Sequence, residues 1–248
     1  MIIIPARLHS TRFPQKILVP INGVPMIIAT AYNAQKVDEV VVACDNEEVL
    51  AICKNHKIKA VLTSPHHSSG TDRCAEAARS LGLKKDEIII NVQGDEPFLE
   101  TQVISLLKEK MKDAPFMATC AKIIEKSKIN DTNLVKVVRA HSGEAIYFSR
   151  LPIPYSRDGL NDSLLESNPY YGHLGIYGFR TQSLEEFCNL PKSPLEDIEK
   201  LEQLRAIYHQ KSIFVCIVQS KSIGIDTPKD LQNALKSISQ TQLPDSRG

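Results

Sequence analysis

The sequence predicts an α/β protein built on a doubly wound, largely parallel sheet that turns mixed and strand-rich in its second half. Three observations carry that expectation. The runs Ile2-Ile3-Ile4, Val40-Val41-Val42 and Ile88-Ile89-Ile90 read as strands buried on both faces. Helical segments alternate with such runs as far as Met111, the pattern of successive β-α-β units. Between Phe116 and Phe179 strand follows strand instead, so a mixed sheet or a small subregion is expected there.

The first strand is expected to stop pairing at Pro5, which has no N–H to give. Beyond Ala6 comes an irregular segment carrying Arg7, Arg12 and Lys16, with Ser10 and Thr11 between them. Two readings stay open: an anion site beyond the carboxyl end of a buried strand, or a solvated basic loop. The glycine-rich GxxxxGK[ST] pattern is missing, so a phosphate held here would be held largely by side chains. Val19 to Pro25 reads as an extended arm around an Asn22-Gly23 turn, followed by a helix from Met26 to Gln35. A strand over Val40–Cys44 leads into a helix over Glu47–His56, with Asp45 as its cap. Lys59–Leu62 is a third strand, and His66-His67 reads as a polar loop feature rather than a metal site.

The loop Ser68-Ser69-Gly70-Thr71-Asp72-Arg73 enters a helix ending near Leu81, where Thr71 and Asp72 suit either capping or a ligand. The strand beginning at Ile88 ends in Gln93-Gly94-Asp95-Glu96-Pro97. An acidic pair at the carboxyl end of a buried strand suits a hard divalent cation. The rival reading makes Glu96 a cap for the helix Glu100–Met111. Further strands are expected over Phe116–Ile124, Leu134–Arg139, Ala145–Phe148 and His173–Phe179. Arg150 to Arg157 is proline-rich and extended, and Asp158–Tyr170 lacks periodicity and reads as a mobile loop. Pro194–Gln210 reads as one long helix with Ile198, Leu201, Glu202 and Arg205 on one face, Glu202 and Arg205 being spaced to pair. A last buried strand covers Ile213–Val218. Asp226 either signals the start of a helix over Lys229–Lys236 or is a second strand-end carboxylate, placed like Asp95. The boundaries expected are one domain over 1–238, with a strand-rich subregion near 136–179, and a polar, disordered tail over 239–248.

Composition narrows the partners. With 30 Lys and Arg against 29 Asp and Glu, the net charge of +1 argues against nucleic acid as a partner. No apolar run reaches the roughly 20 residues that span a bilayer, and the start MIIIPAR lacks a signal-peptide pattern, so a cytoplasmic protein is expected. Cys44, Cys53, Cys74, Cys120, Cys188 and Cys216 are scattered without a CxxC pair and read as buried free thiols. A polyphosphate held by Arg7, Arg12 and Lys16, with Mg²⁺ on Asp95 and Asp226, favours in-line displacement at phosphorus.

Seven stretches also carry a family resemblance: IIIPARLHSTRFPQK, SSGTDR, NVQGDEP, VKVVRAHSGEAIYFSRLPIP, HLGIYGF, SPLEDIEKLEQLR and GIDTP. In this order they are similar to the motifs of the 3-deoxy-manno-octulosonate cytidylyltransferases, the CMP-Kdo synthetases, and they cover nearly the whole chain. The resemblance implies a Rossmann-like nucleotidyltransferase fold and transfer of CMP from CTP to Kdo, with release of pyrophosphate, for lipopolysaccharide biosynthesis. It implies that Arg7, Ser10, Arg12 and Lys16 surround the phosphates. Backbone near Pro5 and Ala6, with Ser69, Thr71 and Arg73, would read cytosine and ribose. Asp95 and Asp226 would hold Mg²⁺, which would lower the pKa of the Kdo C2 hydroxyl that attacks the α-phosphorus. Arg150, Arg157, His173, Tyr177, Glu202 and Gln203 would form the sugar pocket. Where the family usually carries Gly and Glu, this chain has Gln15 and Asp72. The resemblance also implies a homodimer through the strand-rich region, where Leu151, Ile153, Tyr155 and Tyr171 supply apolar surface. Two other readings are a cytidylyltransferase for a related acid sugar (8-amino-Kdo or a sialic acid) and a non-catalytic nucleotide-binding regulator.

Overall fold

The protein is described by a computed structural model covering residues 1–8, 13–114, 116–222, 224–225 and 227–241, with 236–241 described by backbone alone. These residues group into two compact units, a parallel one (2–77, 92–101 and 221 onward) and a mixed one (1, 78–91 and 102–220).

In the parallel unit, β1 (Ile2–Ala6) is fully buried, as its isoleucine run predicts. Pro5 does not end it: Pro5 lies in register with Ala43, and pairing continues to Ala6. A proline removes only its own N–H, so its carbonyl and the neighbouring residues still pair. A hairpin of β2 (Pro20–Ile21) and β3 (Val24–Pro25) turns through Asn22 (φ 48°) and Gly23 (φ 86°), which realises the Asn-Gly expectation. Helix α1 (Met26–Ala34) buries Met26, Ile27, Ile28, Thr30 and Ala31. β4 (Val40–Cys44) runs parallel to β1, and β5 (Lys59–Leu62) runs parallel to β4. Between these strands, α2 (Glu47–Asn55) is capped by Asn46, whose side chain accepts the Glu48 N–H at 2.7 Å, and not by Asp45. The Asp45 carboxylate is taken up elsewhere, by Leu8 and Arg73. Helix α3 (Gly70–Ser80) leads out of the unit.

The mixed unit contains β6 (Ile88–Asn91), most of α4 (Thr101–Lys110), β7 (Met117–Ile123), β8 (Lys136–Arg139) and β9 (Ala145–Ser149). Helix α5 (Asp162–Ser167) stands where a mobile loop was expected; Asn161 caps it by accepting the Leu164 N–H at 2.8 Å. β10 (Tyr171–Arg180) is antiparallel to β6, β7 and β8, so strand follows strand here as predicted. Helix α6 (Thr181–Asn189), absent from the sequence expectations, comes next. The single helix expected over 194–210 is two: α7 (Pro194–Glu199) and α8 (Leu204–Tyr208). Lys200 breaks it by adopting left-handed backbone (φ 54°), which terminates a helix. Ile198 therefore leaves the predicted apolar face and is 79% exposed. β11 (Ile213–Ile217) closes the unit, parallel to β7.

The chain re-enters the parallel unit at Lys221 and ends in α9 (Pro228–Thr241). This helix outlasts the expected stop at Lys236 and runs past the predicted start of the tail at Ser239. Residues 242–248 lie outside the described ones. Of the cysteines, Cys188 is partly exposed and the other five are buried, all of them free thiols.

Candidate active site

The cationic segment begins where β1 ends. Arg7 is exposed, and Leu8 is buried with its N–H donated to Asp45 Oδ1 at 3.2 Å. Ser10 and Arg12 lie outside the described residues, as does Asp226. The chain returns through a tight turn in which Gln15 has φ 52° and ψ 28°. In that left-handed region glycine meets no Cβ penalty, which gives a physical reason for the family's preference there. The next residue, Lys16, forms an ion pair with Asp95, the side chains being 11% and 26% exposed.

Asp95 is held from both sides. The Gly94 carbonyl accepts the Thr30 hydroxyl at 3.0 Å, and the Asp95 carbonyl accepts the Ile225 N–H at 3.1 Å. Gly94 itself is demanded by space, because a Cβ there would lie 3.1 Å from Ile27 Cδ1 and 3.3 Å from the Pro5 carbonyl oxygen. Glu96 is not a helix cap: its carboxylate accepts the Ser222 hydroxyl at 2.9 Å. Among the described residues no three His, Cys, Asp or Glu side chains cluster as a metal cage. A Mg²⁺ ion does not need one, since it binds through one or two carboxylates and completes its shell with water and phosphate oxygens. Asp95, a partly exposed hard anion, fits that chemistry.

The loop before α3 divides its residues differently. Ser69 is the cap, its hydroxyl accepting the Asp72 N–H at 3.1 Å, and Thr71 is buried. Arg73 is only 3% exposed and donates to Thr63 Oγ1 (2.7 Å), the Ser64 carbonyl (3.3 Å) and Asp45 Oδ2 (3.2 Å). His67 pairs with Glu76, in keeping with a polar loop feature.

In the mixed unit, a bulge in β10 between Leu174 and Tyr177 organises the predicted sugar residues. The Thr119 hydroxyl sits in it, donating to the Ile176 carbonyl at 2.7 Å and lying 3.2 Å from that of Leu174. His173 Nε2 is 2.8 Å from the same Thr119 oxygen. Because the hydroxyl proton goes to a carbonyl, the imidazole donates from Nε2. The ring lies against Phe148 and Tyr177, with centroids 5.0 and 5.5 Å away, and burial lowers its pKa from 6.5 to about 3. The Tyr177 hydroxyl donates to Gln203 Oε1 at 3.0 Å, and burial, then the Glu202 charge, raise its pKa. Gln203 Nε2 is buried with no hydrogen-bond partner among the described residues. Buried donors are nearly always bonded, so this one is a candidate ligand contact.

The cations of this unit are otherwise engaged. Arg150 clasps main-chain carbonyls, donating from Nε to Glu199 (2.9 Å) and from Nη1 to Thr132 (3.2 Å). Lys136 is fully buried and donates to the carbonyls of Asp131 (2.8 Å), Leu134 (2.6 Å) and Arg150; burial lowers its pKa. Arg205 makes a two-pronged pair with Glu196 at 2.9 and 2.7 Å, while Glu202, its expected partner, is 4.0 Å away. Arg157 is exposed. Sequence reasoning missed Thr119, Thr30 and Asp45; a buried threonine in a strand looks like an ordinary strand former.

A parallel α/β unit that sets a lysine–carboxylate pair beyond its strand ends is the frame of a nucleotide-handling enzyme. The chain belongs to the cytidylyltransferase family, whose profile matches residues 1–213. Its relatives within that family include the 3-deoxy-manno-octulosonate cytidylyltransferase of Helicobacter acinonychis (strain Sheeba), 59% identical over 95% of this chain and 96% of the relative. The enzyme of the same name from Wolinella succinogenes is 55% identical over 95% of this chain and 98% of its own length. A solved structure of CMP:2-keto-3-deoxy-manno-octonic acid synthetase complexed with CTP shares 36% identity and a TM-score of 0.88, covering 97% of this chain and 98% of that one. The mixed α/β fold expected from the sequence is the fold of that structure.

Proposed function

We propose that this chain transfers CMP from CTP to 3-deoxy-D-manno-octulosonate (Kdo), giving CMP-Kdo and pyrophosphate for lipopolysaccharide biosynthesis. The near-full-length likeness to the CTP-bound synthetase structure, at a TM-score of 0.88, carries this reading. The Kdo C2 oxygen attacks the α-phosphorus and the bond from that phosphorus to the bridging oxygen breaks. Its electrons leave with pyrophosphate, and the hydroxyl proton passes to solvent. Arg7 and Lys16, with Ser10 and Arg12, supply donors and positive charge to the phosphates. The Lys16–Asp95 pair suits an exchange in which each ion holds the other until phosphate and cation arrive. Asp95 and Asp226 would hold Mg²⁺, which when bound neutralises phosphate charge and lowers the pKa of the attacking hydroxyl. At the sugar end, His173, Tyr177 and Gln203 offer neutral hydrogen-bonding groups for hydroxyls, and an arginine is needed for the carboxylate.

The test is pyrophosphate release from CTP with Kdo, 8-amino-Kdo and a sialic acid, each with Mg²⁺ and with EDTA. Release that requires Kdo and is lost with EDTA is expected. Silence with Kdo and Mg²⁺ would sink the substrate assignment, and full activity in metal-free buffer would sink the metal. The chain is taken to work as a cytoplasmic homodimer; no described helix is long and apolar enough to cross a membrane. Leu151 and Tyr155 are 63% and 85% exposed and supply the surface for pairing. A light-scattering mass near 27.6 kDa at micromolar protein would mark a monomer and refute the pairing.

A further inference from the structure

One side chain ties the start of the cationic segment to the rest of the parallel unit. Asp45 follows β4 directly, and each of its oxygens has its own task. Oδ1 accepts the N–H of Leu8, the residue after Arg7, at 3.2 Å. Oδ2 accepts from the Arg73 guanidinium at 3.2 Å, the two side chains being 13% and 3% exposed. Arg73 is itself fixed by Thr63 Oγ1 at 2.7 Å, and that hydroxyl gives its proton to the Cys44 carbonyl at 2.9 Å. A carboxylate faced by a fixed cation accepts an amide N–H in a charge-assisted hydrogen bond, stronger than one between neutral groups. The chain of contacts thus runs from the strand ends of β4 and β5 to the backbone that carries Arg7 into the segment over 9–12.

We infer that Asp45 is a positioning residue for the nucleotide: it fixes the entry of the cationic segment through the Leu8 amide, with Arg73 as its buried counter-charge. The inference rests on the proposed reading that this segment meets the CTP phosphates. An ordinary buried ion pair would stabilise the fold and nothing more, so the two roles must be separated. Removing Asp45 alone would leave Arg73 buried without its anion. The discriminating variant is therefore Asp45→Asn, which keeps the size of the side chain and an oxygen for Arg73 but weakens the acceptor, set beside Thr63→Val, which loosens the same buried network and leaves Asp45 and its bond from Leu8 in place.

Asp45→Asn should fold and show a KM for CTP raised at least about threefold, with kcat and the KM for Kdo within about twofold, because a misplaced binding group acts on the step it serves. Thr63→Val should keep the CTP KM within about twofold, since the bond from Leu8 to Asp45 that is argued to set it survives. Hydrogen exchange followed on the N-terminal peptide should show the Leu8 amide exchanging faster in Asp45→Asn and protected in Thr63→Val. If Asp45→Asn fails to fold, Asp45→Glu replaces it; its longer side chain keeps a charge for Arg73, moves the oxygen off the Leu8 amide, and should speed Leu8 exchange and raise the CTP KM at least about threefold. Wild-type values for CTP or for Leu8 exchange in the altered-Asp45 variants would overturn the inference. So would an equal rise in the CTP KM in Thr63→Val, which would mean that loosening the buried network is enough. A wild type that does not turn over CTP refutes the proposed function instead, and the exchange experiment still reports on the anchor.

Discussion

His173 should make the stability of this protein fall between neutral and mildly acid pH. Its Nε2–H is donated to Thr119, so a second proton must go to Nδ1, on a ring flanked by Phe148 and Tyr177. The folded-state pKa is about 3 against 6.5 for the free side chain. Between those values the unfolded chain binds the extra proton and the native state does not. The contribution is therefore complete above pH 6.5 and lost progressively as pH falls toward 3. At pH 5 the linkage amounts to 1.5 pH intervals at 1.36 kcal/mol each, about 2 kcal/mol. Part of the ring edge meets solvent, which brings this to about 1–2 kcal/mol. For a chain of this size that is a loss in Tm of roughly 2–8 °C on going from pH 7.5 to pH 5. His173→Gln keeps a donor for Thr119 and cannot titrate, so its melting temperature should fall less over the same range. Calorimetric melts of both proteins across pH 5–7.5 decide it, the other histidines being common to both. Parallel slopes for wild type and variant would refute the argument.

On the proposed reading that Lys16 meets the charge on departing pyrophosphate, Lys16→Ala should lower kcat by ~10²-fold while the KM for CTP changes far less; a rise in KM alone would make Lys16 a ground-state ligand. Glu196→Ala should cost about 1–3 kcal/mol, measured by denaturant unfolding, because it removes both close hydrogen bonds of a guanidinium that is 4% exposed and leaves it with Glu202 at 4.0 Å. Glu196→Met with Arg205→Met together should recover most of that loss, and failure to recover would mean that the pair itself holds α7 against α8. Arg150 and Arg157 should separate cleanly: Arg150→Met lowers Tm by leaving carbonyls without donors, whereas Arg157→Met leaves Tm unchanged and raises the KM for Kdo about tenfold or more. Melting curves and Kdo titrations of the two variants check both halves.

The buried strands were legible because isoleucine and valine runs have few other uses in a soluble chain, and the glycine of the Asn22-Gly23 turn announces its own backbone. The break between α7 and α8 was not. Leu201, Leu204 and Arg205 continue a helical spacing past Lys200, and a left-handed lysine carries none of the sequence signal that glycine or asparagine would. That one residue moved Ile198 to the surface, and Arg205 pairs with Glu202 at 4.0 Å as expected but more closely with Glu196, a partner the sequence did not announce. Asn161 before Asp162 was a readable cap signal, but a six-residue helix offers too little periodicity to confirm it. At the site, residue types foretold which groups matter more reliably than what each one touches. Arg73 has the chemistry of a ligand contact, yet its donors point into the protein, and Asp45 looked like a helix cap because the cap itself is the next residue.

On the proposed reading, an acidic sugar would be held in surroundings that are otherwise neutral. In the mixed unit Lys136 and Arg150 are bonded to main-chain carbonyls, and Arg205 is neutralised by Glu196. Lys136 and Arg205 are fixed by buried or partly buried partners, whereas the Nη bonds of Arg150 lie at the surface. The groups around the bulge in β10 are uncharged: a neutral imidazole, a phenol and an amide whose Nε2 has no partner among the described residues. Such a set discriminates among hydroxyl patterns, because an analogue lacking the matching hydroxyl leaves buried polar groups unbonded, a penalty of about 1–3 kcal/mol for each. It does not neutralise a carboxylate. Of the two arginines that the family pattern assigns to the sugar, Arg157 is exposed, on the extended segment between β9 and α5, whereas Arg150 is held by main-chain carbonyls. On the proposed reading, recognition of the acid and recognition of the hydroxyls would fall to different kinds of residue: an exposed cation for the charge, and a buried, neutral set for the stereochemistry.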